Sequence, residues 1–171
     1  MTTLQPPAEL LARIQALLRH FGSVAKLRGL LRDIATGAIA SCGGTVIERR
    51  GDGLLAKFPD ARSATACAFA IHAFAHANST SVNDGPIQFR IGIHSANVLS
   101  DSRELFGHGV NVTARIAALA EPSQTVISDV SRAQLTPGVD ATIEDLGATD
   151  LKNVQQPIRI FCVHRLDTRE L

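Results

Sequence analysis

Apolar positions along the chain fall into short runs of two kinds, helical and strand-like, and the two kinds alternate. Over residues 9–21, "ELLARIQALLRHF", Leu10, Leu11, Ile14, Leu17, Leu18 and Phe21 recur at helical spacing and predict a helix. A second helix is predicted over about 24–41, ended by Cys42-Gly43-Gly44, where glycine suits a left-handed cap. Residues 45–50 and 54–58 read as two strands around an Asp52-Gly53 turn. Asp60 can cap a long alanine-rich helix reaching about Asn78. After a polar loop, 87–94 alternates as a strand. A second polar loop, "SDSREL", precedes a helix over about 109–120. A short strand at 125–129, a short helix near 130–135 and two late strands at about 141–146 and 158–164 complete the series.

This order predicts an α/β fold of the α+β sandwich kind, a mixed sheet with helices packed on it. No repeat or linker divides the chain, so one domain is expected.

Composition narrows the function more than the fold. The 171 residues are 45% apolar and 19% charged, ordinary for a folded domain rather than a disordered chain. Net charge is +1, and phenylalanine is the sole aromatic type, so neither an electrostatic nor a stacking case for nucleic acid exists. The charge is uneven, however. Through Arg32 the basic residues are Arg13, Arg19, Lys26, Arg28 and Arg32, and the only acid is Glu9. Cys42, Cys67 and Cys162 have no metal-ligand spacing, and their odd number argues against a disulfide framework, so a cytoplasmic setting is expected. No apolar run nears the ~18 residues of a membrane span, and no signal-peptide layout opens the chain, so no direct membrane contact is expected.

Two places could carry chemistry. Asp52 can simply close a hairpin, because Gly53 accepts unusual backbone angles. A carboxylate at such a tip also suits Mg²⁺, which takes one or two carboxylates plus phosphate oxygens. Asn111 and Arg115 stand four apart on a predicted helix and share a face. They could serve a sugar and an anionic oxygen, or be an ordinary solvated pair. His72 and His76 also stand four apart, without the glutamate of a metalloprotease pattern, and read as a partly exposed helix face.

Taken together, "GGTVIERRGDGLLAKF", "IQFRIGIHSANVL", "ELFGHGVNVTARIAALAEPSQTVISD" and "DLKNVQQPIRIFCV" resemble, in order and spacing, the class III adenylate/guanylate cyclase catalytic domain. The resemblance runs from about 43 to 163. It implies a ferredoxin-like sheet, with residues 1–41 an N-terminal helical segment, 42–165 the cyclase homology domain and 166–171 a tail. It implies conversion of ATP or GTP to a 3′,5′-cyclic nucleotide and pyrophosphate, with Mg²⁺ or Mn²⁺ held by two aspartates. Asp52 matches the second of these metal ligands. Asn111 matches the ribose-orienting asparagine, Arg115 the arginine that stabilises the transferring phosphorus, and Lys152 the lysine on the terminal phosphates. Glu48 and Glu104 match the two purine-reading positions. His108 stands where the family often has an acid. Sites of this kind form between two chains, so a homodimer or a heterodimer with another cyclase-type chain is expected.

The chain departs from the pattern at its start. An ungapped match sets the first metal aspartate on Ala8, with Glu9 one place off. A gapped match through "RHFGSV" sets it on Arg19. Neither supplies the carboxylate, and the first strand is expected to be missing or altered, or to lie upstream of Met1. Turnover by this chain alone should then be impaired. The alternative is a degenerate module that binds nucleotide or pairs with a partner chain in signalling. The purine readers conflict as well. Ionised Glu48 suits the guanine N1–H and N2–H₂ donors but repels adenine N1. Glu104 suits adenine N6–H₂ but repels guanine O6. Production of cyclic AMP rather than cyclic GMP is the expectation, and a slip of one residue on the first hairpin strand would exchange Glu48 for Arg49.

Overall fold

A computed structural model describes residues 8–17, 24–78, 87–97, 103–135 and 139–167. Seven strands form one mixed sheet: β1 (Ala8–Leu17), β2 (Thr45–Arg50), β3 (Gly53–Phe58), β4 (Gln88–Asn97), β5 (Thr125–Ser128), β6 (Ala141–Thr149) and β7 (Ile158–Arg165). Their order is β2-β3-β1-β4-β5-β7-β6, antiparallel except for the β4–β5 pair. Helices α1 (Val24–Ile34) and α2 (Ala61–Ala77) pack on one face, and α3 (Arg103–Leu119) packs on the other. A short α4 (Asp129–Ala133) follows β5.

The N-terminal segment corrects the sequence reading. Residues 8–17 form a strand, not a helix, and it is paired along its length between β3 and β4. The expected missing strand is therefore present at the centre of the sheet. Leu10, Ala12, Ile14 and Ala16 are buried in the main core with α1 and α2. Leu11 packs on the opposite face with Leu55 and Ala96. A central strand covered on both faces needs apolar residues at consecutive positions, and such a run can imitate helical spacing.

The other elements follow the local chemistry. Gly43 takes φ +74° where the first helical stretch ends, as a left-handed cap requires. That stretch includes one π-helical turn, Ala35–Ile39. Asp60 accepts from the Ser63 N–H at 2.7 Å and starts α2. The small residues Ala61, Ala64, Ala68 and Ala75, with Ile71, let α2 lie close on the sheet.

Helix α3 begins at Arg103, about six residues before the expected start. Gly107 and Gly109 are weak helix formers. Tertiary packing overrides that propensity at Gly109, where a Cβ would stand 2.5 Å from Ala96 Cβ. Gly92 on β4 makes the same allowance from the sheet side, since its Cβ would stand 2.3 Å from Ala117 N. These close approaches fix α3 against β1 and β4.

Two buried histidines add a pH dependence. His72 Nε2 is 3.0 Å from Thr125 Oγ1, and His94 Nδ1 is 2.9 Å from Ser128 Oγ. Burial pushes both imidazoles down to about 4, and for His94 the Asp129 carboxylate partly opposes that push. The unfolded chain takes up these protons near pH 6.5, the folded chain only near 4. Their contribution is therefore full above about pH 6.5 and is lost as pH falls toward 4, at roughly 2–3 kcal/mol per histidine. Melting temperature should fall on acidification across that window, and less steeply in His72→Gln and His94→Gln. Parallel pH profiles for variants and parent would contradict this.

Candidate active site

Asp52 occupies the turn between β2 and β3, half-buried, with Gly51 at φ +56° and Gly53 buried beside it. The turn is tied to the central strand, since the Ala16 N–H donates to the Asp52 carbonyl oxygen at 2.9 Å. Gln15 pairs with Gly53 in the same ladder. The β1 positions at the level of Asp52 are thus Gln15, Ala16 and Leu17, and none carries a carboxylate.

This register decides between the two sequence matches on one side. Ala8 lies opposite Asn97, at the other end of β1. At ~3.3 Å per residue it stands roughly 26 Å from the Asp52 level, and Glu9 only one step closer. Neither can share an ion with Asp52, so the ungapped match is excluded. Arg19, the gapped match, lies outside the described residues. No group of three or more His, Cys, Asp or Glu among the described residues could hold a metal ion.

Glu48 faces the α3 side of the sheet. A bulge between Val46 and Glu48 leaves Ile47 as the extra residue and pairs Glu48 with Leu55. Arg49 pairs with Leu54 and goes to the other face, so the slip that would have exchanged them does not occur. Glu48 Oε1 is 3.1 Å from Arg50 Nε. Glu104 falls in the first turn of α3, and its side chain lies outside the described residues.

On α3, Val112 and Ile116 are buried toward the sheet, as is Ala120 just after it. Asn111 is exposed and Arg115 half-buried, so both lie off that packed stripe. Lys152 is exposed in the turn between β6 and β7. Its neighbour Leu151 is buried with Val112 and Ile116, which ties the turn to α3. His108 is exposed on α3 and depresses the His94 imidazole slightly. The matched residues fall on two sets of elements: Asp52 and Glu48 on the β2–β3 hairpin, and Asn111, Arg115 and Lys152 on α3 and the turn packed against it.

The sequence reading missed Arg13. It sits on β1 facing the α3 side, where a Cβ on Gly53 would stand 3.0 Å from its Nη2. The guanidinium thus fills the space that Gly53 leaves beside Asp52. The alternation Ala12-Arg13-Ile14-Gln15-Ala16 was the available signal.

A groove of about 650 Å³ lies elsewhere, between α2 and β7, lined by Phe69, His72, His76, His164 and Arg165 among others. It includes none of the matched site positions. All three cysteines are free thiols. Burial pushes Cys67 up to about 12 and Cys162 to about 11, so neither is a poised nucleophile. No helix among the described residues is long and apolar enough to cross a membrane.

The pattern of the adenylate and guanylate cyclase catalytic domain matches residues 41–165. The chain belongs to that family. The match begins after β1 and α1, so the fold supplies the central strand that the sequence pattern leaves out. A Rhizobium meliloti protein named "Putative adenylate cyclase 3" is 38% identical over 119 residues, 69% of this chain and 20% of that protein. An uncharacterised Mycobacterium tuberculosis protein is 32% identical over 137 residues, 78% of this chain and 45% of that one. The chain thus spans less than half the length of either relative. The crystal structure of an adenylate/guanylate cyclase/hydrolase from Silicibacter pomeroyi superposes with a TM-score of 0.74 at 30% identity, covering 90% of this chain and 95% of that one. The guanylate cyclase domain of RhGC from Catenaria anguillulae, in complex with GTP, superposes with a TM-score of 0.73 over 93% of this chain and 97% of that one. At 19% identity it speaks for the fold alone.

Proposed function

We propose that this cyclase domain binds a nucleoside triphosphate between two chains and forms the 3′,5′-cyclic nucleotide slowly when paired with itself. The carrying observation is the split of the matched residues within one chain. Asp52 and Glu48 stand at the hairpin, while Asn111, Arg115 and Lys152 gather around α3. A second chain would complete each site, and a symmetric dimer would hold two. Asp52 would hold Mg²⁺ or Mn²⁺, with phosphate oxygens as further ligands. The bound ion would supply positive charge to the phosphates. Asn111 would orient the ribose, Arg115 would meet the charge that grows on the transferring phosphorus, and Lys152 would hold the terminal phosphates.

Slow turnover is argued from β1. Gln15, Ala16 and Leu17 stand where a second carboxylate would have to sit beside Asp52. ATP is favoured over GTP because the relative at 38% identity carries an adenylate cyclase name. Glu104 would accept from adenine N6–H₂, and the ion pair of Glu48 with Arg50 offsets its repulsion of adenine N1. The test is purified protein with ATP and with GTP, in Mg²⁺ and in Mn²⁺, with products separated by chromatography. Slow cyclic AMP formation exceeding cyclic GMP is expected. Nucleotide binding with no product under any condition would move the assignment to a regulatory module that lends its α3 residues to a partner chain.

A further inference from the structure

We propose that Cys42 and Cys67 form a redox site, at which a small-molecule disulfide converts the two thiols into one intrachain disulfide. The inference stands apart from the nucleotide-binding reading. Both cysteines belong to the core on the α1 and α2 side of the sheet, and Cys42 precedes β2 at the end remote from the Asp52 turn. Cys42 closes the first helical stretch. Its N–H donates to the Ala38 carbonyl oxygen at 3.2 Å, and Gly43 then turns the chain away at φ +74°. Cys67 lies on the sheet-facing side of α2 with Ala64, Ala68 and Ile71, all buried.

Three observations make this a site rather than two stray thiols. Cys42 packs on the core cluster that contains Cys67, and the two thiols are hydrogen-bonded to one another. Both sit on helical elements, so their meeting is built into the packing rather than left to a loop. Their exposures differ: Cys42 is half-buried and Cys67 buried. Cys42 is therefore the thiol that an outside disulfide can reach, and Cys67 the one that resolves it. The third cysteine, Cys162, is buried on β7, and the ionisable group beside it is Glu144, not a thiol. The step is an exchange. The Cys42 thiolate attacks one sulfur of the outside disulfide, forming a mixed disulfide and expelling one small thiolate. The Cys67 sulfur then attacks the Cys42 sulfur and expels the second small thiol, which takes the Cys67 proton. Two protein thiols are oxidised and one disulfide is reduced to two thiols. Burial and the nearby Cys42 both disfavour a Cys67 thiolate, so charge does not stabilise the reduced pair. Closure should be slow for that reason, and the bond, once made, should resist weak reductants.

The experiment treats the full chain, folded and reduced, with oxidised glutathione and maps its peptides by mass spectrometry without reduction. A linked pair containing Cys42 and Cys67 is expected, with Cys162 left as the free thiol. The melting temperature should rise by about 5–10 °C, because the cross-link restricts the unfolded chain. Dithiothreitol should reverse both changes. Cys42→Ser should abolish the linked pair and the melting shift, while Cys162→Ala should keep them. Should either variant fail to fold, the peptide map of the unsubstituted protein decides alone. Glutathione that stays on Cys42 without passing to a Cys42–Cys67 bond would overturn the inference. So would thiols that remain unreacted in the folded chain, or a linked pair that includes Cys162.

Discussion

Replacing Gly92 by valine should unseat α3 and lower stability by about 3 kcal/mol or more, near the upper end for overpacking. A Cβ at Gly92 would stand 2.3 Å from Ala117 N and 2.6 Å from its Cα. Those are backbone atoms of a helix, so no side-chain rotation relieves the clash. The helix itself must move, and it takes Val112, Ile116 and the Leu151 turn with it. For a chain of this size that loss corresponds to roughly 6–12 °C in melting temperature. Gly29→Ala is the matched control. It lies on α1 with nothing within 4 Å of the added methyl, and should stabilise by about 0.5–1 kcal/mol. Equal melting shifts for the two substitutions would contradict the packing described for α3. Because Asn111 and Arg115 ride on that helix, any residual activity should fall with Gly92→Val even at temperatures where it is still folded.

The second large effect concerns the two halves of the proposed site. Arg115→Ala and Asn111→Ala should each lower cyclic nucleotide formation by about 10²–10³-fold, the usual loss on removing one group aimed at transition-state charge. Asp52→Ala should abolish it, since no neighbouring carboxylate on β1 can take over. Mixing folded Asp52→Ala with Arg115→Ala should then restore activity. About half of randomly paired dimers are mixed and each holds one intact site of two, so roughly a quarter of the parent rate is expected. No recovery on mixing, with dimers demonstrated, would mean that each chain builds its site alone.

Much of this was legible in the sequence, for reasons that differ by element. The β2–β3 hairpin was marked by Asp52-Gly53 between apolar runs, and α2 by Asp60 and its alanine stripe. Both are local signals. The central strand β1 was misread because Leu10 and Leu11, buried on opposite faces, join Ile14 and Leu17 in a run with helical spacing that masks the alternation from Ala12 to Ala16. The start of α3 was placed late because the polar stretch "SDSREL" was read as a loop, whereas the helix already begins at Arg103. In the site, roles for Asp52, Asn111, Arg115 and Lys152 came from the resemblance of their motifs to the cyclase family, not from the residues' own spacing. Arg13 was not found, since its neighbour Gly53 is forty residues away and only the pairing of β1 with β3 brings them together. The facing of Glu48 likewise depended on the bulge at Ile47, which no local pattern announces.

What matters most for the chemistry is how many cations the nucleotide brings to the hairpin. Crystals of the protein with a non-cyclising ATP analogue and Mn²⁺ would answer this through anomalous scattering, which locates each manganese directly. One ion per site, on Asp52 and phosphate oxygens, is the predicted result. Two ions per site bridged by Asp52 and a further carboxylate of this chain would contradict the account.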